Sequence, residues 1–170
     1  MRIAATLMSL FFVFGGVAAA AERQAVTDAD VERVLPSLPK APIGNRAGIS
    51  QLKGDFTCDG VSDRIVGYLD SPDEEYSGYW VSFISKSGGK LAVKTIGLGA
   101  GHNQIGICGN QENKITLHRE DHRKFDVSDW FGDLPVCKVA VRVQDDACDS
   151  PRIFWIRSGE HRGELVVGRN

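Results

Sequence analysis

The sequence predicts a mainly β domain, an antiparallel sandwich or open barrel with a short N-terminal helix, stapled by disulfides. Three observations predict it. From about residue 46 onward, apolar and β-branched residues come in short runs separated by Gly, Asn, Asp and Ser, as in strands joined by turns. Helical spacing is confined to the stretch before Pro36 and to one turn around Trp130. Four cysteines, Cys58, Cys108, Cys137 and Cys148, follow an apolar N-terminus, and an even count in an exported chain points to bridges.

Residues 1–21 read as an export signal. Arg2 is a minimal positive region, residues 3–17 are an apolar run, and residues 18–21 are four alanines suited to cleavage. The run falls short of the roughly 18–20 apolar residues that span a bilayer, and no later segment approaches that length. The expected organisation is therefore a signal over 1–21, a short helix and Pro-rich linker over 22–45, and a single β-rich domain over 46–170. The expected location is periplasmic or secreted. Removing the signal leaves 19 of the 20 basic side chains against 22 acidic ones. That balance excludes a broad basic face for nucleic acid or for an anionic membrane.

Thr27 caps a predicted helix over 28–35, with Asp28 and Asp30 at its positive end and Val31, Val34 and Leu35 on one apolar face. Pro36 ends it, and Pro39 and Pro42 extend the linker. A strand over 49–53 enters an acidic loop, and one over 64–69 leaves it. Residues 78–85 and 91–96 form a hairpin turned by Ser87-Gly88-Gly89. Residues 97–113 read as a glycine-rich loop, 114–118 as a strand, and 126–132 as one helical turn capped by Asp126 and stopped by Gly132. Residues 136–143 alternate strictly, and 151–157 and 164–167 complete the strands. A faint echo sets Cys58-Asp59 before Arg64-Ile65 and Cys148-Asp149 before Arg152-Ile153.

The acidic loop carries the strongest chemical pattern. Asp55, Thr57, Asp59 and Asp63 occupy places 1, 3, 5 and 9 of a D-x-[DN]-x-D-G-type loop, Gly60 supplies the sharp turn at place 6, and Val61 can offer its carbonyl at place 7. A hard cation needs such oxygens converging from one short piece of backbone. Residues 54–66 resemble the calcium loops of FG-GAP and VCBS-type repeats, with Cys58 where the family has a small residue and Thr57 where it has Asn or Asp. The resemblance implies a Ca²⁺ site joining two strands, with Asp55, Thr57, Asp59, Val61 and Asp63 as metal ligands. An EF-hand is disfavoured, because its twelfth loop position is Val66 rather than Glu. The same residues also suit an Asx-rich turn whose carboxylates accept backbone N–H groups without metal.

Other patterns carry less. His118 and His122 are four apart, a zinc spacing on a helix but about 13 Å apart on a strand, and the segment reads as a charged turn. Gly97-Leu98-Gly99-Ala100-Gly101 lacks the Gly-Lys-Ser/Thr of a phosphate loop. Trp80, Trp130 and Trp155 read as core or sheet-face residues. The four cysteines allow three pairings; Cys58 with Cys108 and Cys137 with Cys148 are expected, and the echo also allows Cys58 with Cys148. The functional expectation is a non-catalytic binding or inhibitor-type domain for an unidentified envelope or extracellular protein. Two alternatives are an envelope hydrolase using the 97–110 loop and a histidine, and a ligand-free structural accessory domain.

Overall fold

A computed structural model describes residues 24–39, 48–70, 78–100, 106–107, 115–122, 127–145 and 150–168. The expected signal over 1–21, most of the Pro-rich linker, and Cys108 and Cys148 lie outside the described residues. Strands β1 (Ser50–Gly54), β2 (Asp63–Leu69), β3 (Tyr79–Ser87) and β4 (Lys90–Ala100) form an antiparallel meander, extended at its edge by the two-residue, parallel β5 (Gly106–Ile107). A second antiparallel meander follows: β6 (Thr116–Asp121), β7 (Val139–Gln144), β8 (Arg152–Trp155) and β9 (Leu165–Gly168). The two sheets face each other across one core, with β1 lying against β6.

Period-two alternation decides what enters that core. From the first sheet come Ile65, Tyr79, Val81, Phe83 and Leu98; from the second come Leu117, Val141, Val143 and Ile153. Gly67 permits close approach, since a Cβ there would lie 2.9 Å from Leu117 Cδ1 and clash with the Tyr79 hydroxyl. The outward side of β2 and β3 is also apolar at Val66, Tyr68 and Ile84, and helix α1 (Asp28–Val34) covers it with Val31 and Val34. Thr27 and Asp30 form a capping box, each accepting the other's backbone N–H. Pro36 lies in a 3-10 turn over Leu35–Ser37, and the linker packs as far as Pro39, whose carbonyl accepts the Tyr68 hydroxyl at 2.7 Å.

Helix α2 (Ser128–Phe131) covers the outer side of the second sheet. Trp130 and Phe131 pack on Phe154, and Trp130 lies over Gly168, where a Cβ would come within 2.6 Å of its ring. Val127 is the N-cap and makes no side-chain cap bond, while the expected cap Asp126 lies outside the described residues. Gly132, with φ 57°, ends the helix as expected.

Several strand limits differ from the sequence reading. β4 continues through Gly97–Ala100, where the sequence predicts a loop, because Gly97 and Leu98 pair with Trp80 and Tyr79, and Gly99 and Ala100 pair with β5. The 136–143 alternation breaks: Val136 makes an isolated bridge to Ile156, Cys137 is held by a disulfide, and β7 starts at Val139. The segment from His118 to Asp121, read as a charged turn, is strand β6 paired with β7. The echoed Arg-Ile pairs fall in β2 and β8, the second strand of one meander and the third of the other.

Candidate functional site

The acidic loop runs from β1 to β2 and drives Phe56 fully into the core, edge-on to Phe83. Asp63, the first residue of β2, is 1 % exposed, and its Oδ2 accepts the backbone N–H of Phe56 and of Thr57, both at 2.9 Å. Asp55 accepts the N–H of Asp59 and of Gly60, each at 3.1 Å, and Asp59 accepts that of Val61 at 2.9 Å. Gly60 turns the chain at φ 85°. Cys58 adopts φ 56°, a conformation costly for a residue with a Cβ. A disulfide from Cys58 to Cys137, Cα–Cα 5.7 Å, ties that position to the second sheet across 79 residues of sequence.

This pairing corrects the expected Cys58–Cys108 and Cys137–Cys148 bridges. Stacking the sheets brings the β1–β2 loop against the residues just before β7. Cys108 and Cys148 lie outside the described residues.

Asp55, Thr57, Asp59, Val61 and Asp63 thus occur together, as the loop pattern requires. Their carboxylates, however, cap three different stretches of backbone. Among the described residues, no three or more His, Cys, Asp or Glu side chains are grouped to hold a metal ion. Burial pushes the Asp63 carboxyl up to about 6, against the opposing pull of the Thr57 and Phe56 donors, and the charge of Asp59 adds to the rise. The Thr57 hydroxyl oxygen is buried beside the Asp63 carboxyl and helps to hold it down.

The loop forms one wall of an open mouth between the sheets. Inward positions of β3 read Tyr79, Val81 and Phe83, then change to Ser85 and Ser87; on β8 the sequence is Ile153, Trp155 and then Arg157. The apolar core therefore stops at Phe83 and Trp155, whose rings stack at 6.2 Å. Beyond them lies a cavity of about 430 Å³, lined by Ser85, Ser87, Trp155, Arg157, Arg162 and Asp59, with Cys58 in the wall. Arg162 is presented by the β8–β9 hairpin, where Gly159 and Gly163 both adopt φ 86°. The guanidinium groups of Arg157 and Arg162 form no ion pair among the described residues.

On the other side of the disulfide, a second cavity of about 440 Å³ is lined by His122, Val127, Leu134, Val136, Cys137 and Arg157. His122 is buried against Phe154, with centroids 4.2 Å apart, and burial lowers its pKa, so the ring is neutral at physiological pH. His118 is exposed on β6, 2.9 Å from the Thr116 hydroxyl, and His161 bonds Glu164 at 3.1 Å in the hairpin. Of the proposed hydrolase loop, Gly97–Ala100 belong to β4, and residues 101–105 and 108–110 lie outside the described residues.

The sequence reading missed the mouth residues Ser85, Ser87, Arg157 and Arg162. The available signal was the change from aromatic to serine at successive inward positions of β3. Compared with known proteins, the chain matches no protein family, no characterised relative and no solved structure.

Proposed function

We propose that the protein is an exported, non-catalytic binding domain of inhibitor type, and that the mouth is its contact surface. The observation supporting this is the mouth itself: two guanidinium groups without an ion pair among the described residues, beside the half-buried Trp155, on a frame clamped by a disulfide. Arg and Trp are the side chains that most often anchor protein interfaces, and rigid placement lowers the entropy lost on association. The partner is a protein of the envelope or extracellular space. A photo-crosslinker placed at Ser87 should capture one discrete partner from envelope extract, while the same group at Gln51 on β1 should not. Equal capture from both positions, or none from Ser87, overturns the reading.

A second reading keeps Ca²⁺ at the acidic loop, favoured by the buried Thr57 hydroxyl, which a cation would engage. It requires the Asp55 and Asp59 carboxylates to leave their backbone caps. Thermal melts in EGTA and in millimolar calcium test it. A rise of several degrees with calcium, abolished by Asp59→Ala, supports a site; identical melts leave the loop as an Asx-rich turn.

A further inference from the structure

We infer that the mouth receives a carboxylate of an acidic polypeptide segment; this rests on the reading of the mouth as the contact surface.

Charge decides the ligand class. Arg157 and Arg162 bring two positive charges into the cavity and Asp59 one negative charge, so the lining carries a net charge of about +1. One carboxylate matches that balance. A phosphate dianion would leave negative charge facing Asp59, whose Oδ1 is already engaged by the Val61 N–H. A guanidinium is planar and forks two N–H donors onto a carboxylate, and the hydroxyls of Ser85 and Ser87 add donors on the facing wall. Trp155 supplies a flat apolar surface for the methylene groups that precede a Glu or Asp carboxylate.

The rim favours a polypeptide over a small acid. Lys90 pairs with Ser87 and Lys94 with Phe83, so both lysines lie on the core-facing side of β4 beside the mouth. Both are exposed, and neither forms an ion pair among the described residues. A segment with one acid in the mouth can set its next acids against these lysines. Glu160 and Glu164 are exposed on the same hairpin as Arg162, and the chain as a whole carries a net charge of −2, so this cationic corner is local and does not extend into a polyanion-binding face.

The test titrates the purified protein with hexaglutamate, hexaglutamine and inorganic phosphate, following tryptophan fluorescence and heat. Hexaglutamate should bind and weaken as salt rises, and hexaglutamine should not bind. Arg157→Gln combined with Arg162→Gln should weaken hexaglutamate more than about tenfold at an unchanged melting temperature, whereas Arg33→Gln on α1 should have no effect. Equal binding by the double variant, or by hexaglutamine, overturns the assignment. Displacement of the peptide by millimolar phosphate also overturns it, in favour of a phosphate site. A partner crosslinked from Ser87 and still bound by the double variant would preserve the binding-domain reading and remove the acidic-segment inference alone.

Discussion

Two aspartates perform the same task at the same end of the molecule with opposite electrostatic outcomes. Asp30 is 6 % exposed and Asp63 is 1 % exposed; Asp30 accepts the Thr27 N–H at the helix cap, and Asp63 accepts those of Phe56 and Thr57 in the acidic loop. Asp30 is lowered to about 2, first by the Thr27 N–H and then by Lys86, whose ammonium lies 3.0 Å away on β3. Asp63 is raised to about 6, because burial outweighs its two backbone donors and no cation pairs with it among the described residues. The difference lies in the balance with burial: at Asp30 the Thr27 N–H and the Lys86 ammonium outweigh desolvation, whereas at Asp63 desolvation outweighs the donors. The helix is thus clamped to the sheet electrostatically, whereas the acidic loop is clamped by neutral donors, by Phe56 and by a disulfide.

The largest effect should come from cutting the covalent clamp. Cys58→Ser with Cys137→Ala should cost roughly 2–5 kcal/mol in urea unfolding. It should leave the acid limb that depends on Asp30 unchanged. A loss below about 1 kcal/mol would mean that Phe56 and Asp63 hold the loop unaided.

Next, Asp63→Ala should cost about 2–4 kcal/mol by stranding two buried N–H groups. Asp63→Asn should keep both bonds, since one amide oxygen can accept them. The folded-state value of about 6 lies above the ordinary 3.8, so what Asp63 contributes is complete below pH 3.8 and is lost as pH rises through 6. The asparagine variant should therefore gain on the wild type across that window, by on the order of 3 kcal/mol at pH 7. Parallel unfolding curves from pH 4 to 7 would show Asp63 to be solvated instead.

Asp30→Asn should act in the reverse direction and at lower pH. The Asp30 value is depressed, so its contribution is full above pH 3.8 and disappears as pH falls toward 2. Melts between pH 2 and 5 should show a steep acid limb in the wild type and a shallower one in the variant. An identical limb would remove Lys86 from the account. The smallest effect belongs to Arg33→Ala. Arg33 lies 2.7 Å from Asp30 but its side chain is 66 % exposed, so the melting temperature should scarcely move.

The sequence by itself determined several features that depend on near neighbours. The Thr27 cap, the stop at Gly132 and the Gly88-Gly89 turn, with φ 56° and 75°, follow from local sterics and donors within a few residues. Strand alternation likewise showed which positions of β2 and β3 share a face. Tertiary structure decided the features that depend on residues far apart in the chain. Cys58 meets Cys137, 79 residues away, because the sheets stack, whereas the Asp55, Asp59 and Asp63 bonds stay within seven residues and match the Asx-rich turn legible in the sequence. Arg157 and Arg162 border one cavity because their hairpin folds back beside Trp155. Sequence spacing fixes which groups can meet along one segment, whereas burial, counter-charge and the path of the second sheet decide which of them do.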